Sequence, residues 1–146
     1  MYPGAHAATR PEHPAVIMAG SGEVVTYRQL DERSNQLARL WRERGLVTGD
    51  HVAIFSENQP RFFEVMWAAL RSGLYVTTIN SYLSAEEVGY ILHDSGARSL
   101  VTTSEKAKIA SAAMQHATGC VVPLLIGDAD PRFEPYADAI GSMSTD

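Results

Sequence analysis

Only one cysteine, Cys120, stands in the 146 residues, so no internal disulfide can form and a disulfide-stapled secreted scaffold is excluded. Its expected role is a buried, inert thiol. Long apolar runs are missing too: the longest, Ala15 to Ala19 and Val121 to Ile126, fall far short of the helix needed to cross a hydrocarbon layer of about 30 Å. The start, Met1-Tyr2-Pro3-Gly4, has neither the basic stretch nor the apolar core of a signal peptide, which makes the cytoplasm the expected compartment. Positive charge is scarce, with 12 Lys and Arg against 17 Asp and Glu and a formal net charge of −5. That balance works against the counterion release behind general nucleic-acid binding, so no nucleic-acid partner is expected. Arg39, Arg42 and Arg44 do cluster, but Asp31, Glu32 and Glu43 share their segment, and together they read as a solvated helix face.

Reactive constellations are equally sparse. His6, His13, His51, His93 and His116 are scattered, no pair of His or Cys falls at metal-ligand spacing, and no hydroxyl or thiol has an evident base. No metal site and no catalytic triad are expected. Glu86 and Glu87 lie in a first helical turn, where negative charge simply favours the helix dipole. Gly20-Ser21-Gly22 lacks the Lys-Ser/Thr ending of a phosphate loop and reads as a turn.

What is present is an ordinary globular balance, 45% hydrophobic and 20% charged, in a length that suits one domain. The prolines at Pro3, Pro11 and Pro14 mark residues 1–14 as an irregular lead-in. Ala15 to Ala19 and Glu23 to Thr26 flank the glycine turn and predict a small hairpin. Thr26 and Gln29 form a capping box, and Leu30, Ser34, Leu37 and Trp41 recur at helical spacing until Gly45. From there β-prone runs begin near Val52, Tyr75, Arg98 and Val121, each 23 residues after the last. Helical segments fill the gaps: Arg61 to Ser72 before Gly73, a second opened by Ser84-x-x-Glu87 and running towards His93, and a third from about Ser104 to His116. Strand and helix alternating at this period predict an α/β fold with a mostly parallel sheet flanked by helices. Pro123 cannot donate to a ladder, which places the last strand at an edge or after that residue. Residues 129–146 read as loop and ragged tail, leaving 15–128 as the folded unit.

Open parallel sheets bind ligands at the carboxyl ends of their strands. Those ends are Ser56-Glu57-Asn58, Thr78-Ile79-Asn80, Thr102-Thr103-Ser104 and Gly127-Asp128, polar but chemically mild. Ser104 is expected to cap the third helix, whose N-terminus could otherwise hold an anion. Phe62, Phe63, Val65, Met66 and Trp67 fit a helix packed in the core, though the same residues could line a ligand channel.

Several segments in fixed order add more. Thr26-Tyr27-Arg28-Gln29-Leu30, Ser34-Asn35-Gln36-Leu37-Ala38, Gly49-Asp50-His51-Val52-Ala53-Ile54, Asn58, Leu70-Arg71-Ser72-Gly73 and Leu83-Ser84-Ala85-Glu86-Glu87 together resemble the beginning of AMP-forming acyl-CoA synthetases. That superfamily also includes luciferases and peptide-synthetase adenylation domains. The agreement runs from about His13 to Asp128. It departs at Thr77-Thr78-Ile79-Asn80, where many members have a proline before the corresponding asparagine.

The resemblance implies the N-terminal subdomain of an adenylate-forming enzyme that joins a carboxylic (fatty) acid to AMP and then transfers the acyl group to coenzyme A. ATP, magnesium and coenzyme A are implied for the full enzyme, and no cofactor for this fragment. The family's Ser/Thr/Gly-rich phosphate loop ending in Pro-Lys-Gly, its ribose-binding acid and its adenylation lysine have no counterpart in these residues. A truncated, inactive fragment is therefore expected, with no catalytic residue to carry over. By similarity, the loop Asn80-Ser81-Tyr82 lies near the coenzyme A or acyl channel of a complete enzyme; an ordinary strand-to-helix connection is the plainer account. The rival reading is a free-standing, non-catalytic ligand-binding or regulatory module. A fragment would self-associate through its exposed sheet edge, whereas a finished module would not.

Overall fold

Capping boxes open the helices that begin at Tyr27 and Ala85, and left-handed glycines, Gly73 and Gly96, close those that end at Ser72 and Ser95. A computed structural model of the chain describes residues 2–146. A one-turn helix α1 (Pro3–Ala7) precedes the antiparallel hairpin β1 (Pro14–Ile17) and β2 (Val24–Thr26). In the turn, Gly22 donates from its backbone N–H to Met18 O at 2.8 Å and adopts φ +73°, a conformation glycine takes without steric cost. Helix α2 (Tyr27–Glu43) opens with both halves of its capping box: Gln29 N–H donates to Thr26 Oγ1 at 3.3 Å, and Thr26 N–H to Gln29 Oε1 at 3.0 Å. Leu30, Ser34, Leu37 and Trp41 form its buried stripe.

Four strands and three helices then alternate: β3 (His51–Phe55), α3 (Arg61–Ser72), β4 (Tyr75–Ile79), α4 (Ala85–Ser95), β5 (Ala97–Thr103), α5 (Ala107–Met114) and β6 (Val122–Ile126). Gly73 and Gly96 end α3 and α4 in the left-handed conformation. A two-residue strand β7 (Glu134–Pro135) and a short helix α6 (Tyr136–Gly141) follow. The main sheet has the order β4-β3-β5-β6-β7, and every pairing in it is parallel. Because successive residues of a strand point to opposite faces, Val52, Ile54, Val101, Val122 and Leu124 join one core with α2, α3 and α6. Ala53, Phe55, Leu100 and Leu125 join another with α4 and α5. The protein is thus an α/β three-layer sandwich with a small hairpin attached. On the second face α4 and α5 meet through small residues: a Cβ added at Gly89 would lie 3.1 Å from Ala113 O.

Four local expectations do not hold. The lead-in carries a helix, α1, with Pro3 buried; Met1 lies outside the described residues. The tail is not ragged, since Tyr136, Ala139 and Ile140 of α6 are buried and residues 143–146 run along α2. Helix α5 starts at Ala107 without a side-chain cap, because Ser104 extends the ladder instead, donating its N–H to Ile126 O at 3.0 Å. Pro123 sits inside β6 opposite Leu100, and β6 is not an edge; its outer neighbour β7 engages only past the proline, at Leu124 and Leu125.

Candidate functional site

The strand order carries a reversal that the chain order hides. From β3 the chain leaves through α3 on one face of the sheet, and from the adjacent β5 it leaves through α5 on the other. The two departing loops run to opposite faces of the sheet, which makes the carboxyl ends of β3 and β5 the switch point, the position at which open α/β sheets form their ligand crevice. Side chains cross it. Thr103 Oγ1 donates to Glu57 Oε2 at 2.6 Å, and Thr102 Oγ1 donates to Phe55 O at 2.8 Å. Ser56 is buried with its hydroxyl unpaired. On the far side Gly127 adopts φ +107° beneath Ser104, whose Oγ would lie 2.5 Å from any Cβ added there.

This rim offers hydroxyls, one carboxylate and backbone groups, which suit the orientation of a polar ligand. It holds no activated nucleophile. His51 opens β3, while His93 and His116 lie shortly before β5 and β6, so all three sit at the opposite end of the sheet. Burial pushes the Cys120 thiol up to about 11, with the backbone of Val122 opposing the shift, and the group stays protonated at neutral pH. Among the described residues no three His, Cys, Asp or Glu side chains group so as to hold a metal ion; the implied magnesium finds no donor set here.

The loop Asn80-Ser81-Tyr82 leaves the edge strand β4 at the same end of the sheet. Asn80 Oδ1 accepts the backbone N–H of Tyr82 at 3.0 Å, a local turn bond, and Asn80 O accepts from Leu83 N–H at 3.2 Å. Tyr82 is 93% exposed. Immediately after it the capping box of α4 closes, with Ser84 N–H donating to Glu87 Oε2 at 2.8 Å; this backbone bond, with help from the Ser84 hydroxyl, holds the Glu87 carboxyl below the usual range. Of the α3 set Phe62, Phe63, Val65, Met66 and Trp67, only Val65 is fully buried. Phe63 and Trp67 instead border a hollow of about 340 Å³ with Tyr2, Pro3, Tyr27 and Leu30.

The family model described as AMP-binding enzyme matches residues 4–144. The chain belongs to this family. Among curated relatives, human long-chain fatty acid transport protein 1 is 33% identical over 123 residues, covering 84% of the chain and 19% of the relative. The long-chain-fatty-acid–CoA ligase of Salmonella typhimurium is 37% identical over 101 residues, covering 68% of the chain and 18% of the relative. The chain therefore spans about a fifth of the length of the curated relatives it matches. Among solved structures, the anthranilate CoA ligase AuaEII in complex with anthranoyl-AMP superimposes with a TM-score of 0.89 over 99% of this chain and 27% of that one. At 19% identity the likeness establishes the shared adenylate-forming fold. The crevice pairing of Glu57 with Thr103 escaped sequence reasoning: both residues are visible at strand ends, but nothing local says that β3 and β5 are neighbours.

Proposed function

We propose that this chain is the opening α/β subdomain of an ATP-dependent acyl-CoA ligase, which joins a carboxylic acid to AMP with release of pyrophosphate and passes the acyl group to coenzyme A. The observation that carries this reading is the family match over residues 4–144, together with a relative that is a long-chain-fatty-acid–CoA ligase. Within that enzyme the α/β unit, with α6 packed into its core, acts as scaffold and the Asn80-Ser81-Tyr82 loop borders the coenzyme A or acyl channel. The exposure of Tyr82 and the position of the loop beyond β4 support that assignment. A cytoplasmic location goes with it, and no helix among the described residues is long and apolar enough to cross a membrane.

On this reading the 146-residue protein alone does not adenylate. The rim holds no phosphate-cradling loop and no lysine positioned as an adenylation residue, so no group is present to offset charge on a departing pyrophosphate. Incubated with ATP, magnesium, fatty acids of several lengths and labelled pyrophosphate, the protein is expected to leave no carboxylate-dependent label in ATP. Label above the no-acid control would overturn the proposed inactivity.

The outer side of β4 is the open edge of the sheet. Tyr75 is 63% exposed, and the strand carries no lysine, proline or bulge to deter another strand. Light scattering across a dilution series is expected to show concentration-dependent dimers, and Thr77→Lys on this edge to shift them towards monomer. A single monomeric species at all concentrations would count against a subdomain with an uncovered edge.

A further inference from the structure

Two neighbouring hollows of about 300 Å³ each lie between α2 and the end of α3, and both are lined by Ala38, Arg42 and Ser72. Arg39 and Arg71 line the second, together with Asn35. They lie where α3 ends and β4 begins, at the opposite end of the sheet from the β3/β5 crevice. Three guanidinium groups thus share one depression on a chain whose net charge is −5.

Their hydrogen-bonding capacity is only partly used. Arg71 Nη2 donates to Asp31 Oδ1 at 2.8 Å and Nη1 to Asn35 Oδ1, but its Nε is buried with no partner. The hydroxyl of the adjacent Ser72 is buried and unpaired as well. Buried polar groups in native proteins almost always find partners, and two unmatched donors side by side at one hollow point to an absent acceptor. Arg42 engages no side chain or backbone acceptor among the described residues, and Arg39 closes its fork on a main-chain oxygen of Asp146, which in the 146-residue protein is a carboxylate that an incoming anion must displace. The acidic side chains facing the cluster are Asp31, already bound to Arg71, and Asp146 at the end of the tail.

We infer that this depression binds a phosphate monoester. A dianionic phosphate presents several acceptors in the geometry that planar guanidinium forks match, and Arg39, Arg42 and Arg71 with the Ser72 hydroxyl supply the donors. The adjoining hollow, walled by Leu46, Val47 and Leu74, takes the organic part of the ligand. The tail from Met143 to Asp146, held to α2 by Gln36, Asn35 and Arg39, is the local competitor and shifts when phosphate enters.

The test is a titration of the 146-residue protein with inorganic phosphate and, separately, glycerol 3-phosphate, followed in ¹H–¹⁵N spectra at ionic strength held constant with sodium chloride. Saturable shifts are expected at the Arg71 and Arg39 Nε–H signals and at the amides of Ser72, Thr145 and Asp146. Tighter binding of glycerol 3-phosphate would assign the adjoining hollow to the ligand's body, while equal binding would assign the site to the phosphate group alone. Arg42→Gln, at an exposed position with no partner to lose, is expected to weaken affinity about tenfold, and Ser72→Ala severalfold, with unchanged circular dichroism. Shifts no larger than those from sodium chloride alone, or unchanged affinity in Arg42→Gln, would overturn the assignment.

Discussion

Trp41→Ala is expected to lower the unfolding free energy by about 3–5 kcal/mol, read from the midpoint of urea denaturation by circular dichroism. Trp41 is fully buried in the core shared by α2, α3, α6 and one face of the sheet, so truncation removes a large apolar surface and leaves a cavity that rigid strands cannot fill. Its indole also has a polar task. Trp41 Nε1–H donates to Ser99 Oγ at 2.9 Å, and that hydroxyl donates onward to Val122 O at 2.8 Å, tying α2 to β5 and β6 through a buried chain. The two contributions separate by substitution. Ser99→Ala keeps the ring but strands the indole N–H and the Val122 carbonyl, for an expected loss of about 1–3 kcal/mol. Trp41→Phe keeps much of the apolar contact and leaves Ser99 its bond to Val122, with a loss nearer 1 kcal/mol. Combined, Trp41→Phe and Ser99→Ala should cost less than the sum of their single effects, because both break the same bond. Strict additivity, or a Ser99→Ala midpoint equal to that of the parent, would mean that the hydrogen-bonded chain contributes nothing.

Helix and strand positions were legible wherever the stabilising chemistry is local. Both halves of each capping box lie within four residues, and Gly73 and Gly96 mark helix ends because each must adopt positive φ. The 23-residue spacing of the strand starts reports a helix plus two short loops, which is why the parallel sheet and its crossovers could be anticipated. Elements held by distant partners were not legible. Helix α6 has six residues, too few for a periodic signal, and no side-chain cap; it persists because Tyr136 reaches Glu64, 72 positions earlier. The tail reads as polar and unstructured, yet Asn35, Gln36 and Arg39 bind its carbonyls from more than a hundred residues away.

The candidate site divides the same way. Every strand-end residue at the rim could be named from the sequence, as could the Asn80 turn, whose bond to Tyr82 spans two residues. The crevice itself depends on β5 adding beside β3 after the chain has passed through β4. No propensity records such a reversal, since the same βα units could be laid down in another order without changing a local contact. Ser104 shows the competition directly: a serine ahead of a helix favours capping, but a ladder bond to β6 and close packing over Gly127 prevail.

Glu64→Ala is the second substitution expected to act strongly, and its effect should concentrate on α6. The Glu64 side chain is fully buried; Oε1 lies 3.1 Å from Arg33 Nη1 and 3.9 Å from Arg61 Nε, and Oε2 accepts from the Tyr136 hydroxyl at 3.0 Å. Breaking a buried ion pair costs about 3–5 kcal/mol when the orphaned charge stays buried. Here the two arginine side chains are 34% and 29% exposed and border a hollow of about 240 Å³ that water can enter. They can rehydrate, so the expected loss is smaller, about 2–3 kcal/mol, and arises mainly from the phenol left without an acceptor and from looser packing of α6. Amide exchange should quicken in 136–141 more than in β3 or β5. Glu64→Gln retains an acceptor for Tyr136 and should restore most of the protection. The same contact carries a pH signature. Burial first, and the Glu64 carboxylate second, push the Tyr136 hydroxyl well above its usual value. A group whose folded pKa is raised contributes stability that is complete below its unfolded pKa, about 10, and is lost progressively as pH climbs beyond it. Tyr136→Phe is therefore expected to flatten the alkaline fall in stability above about pH 10 relative to the parent. An identical fall in both proteins, or uniform exchange across the chain in Glu64→Ala, would separate α6 from this buried carboxylate.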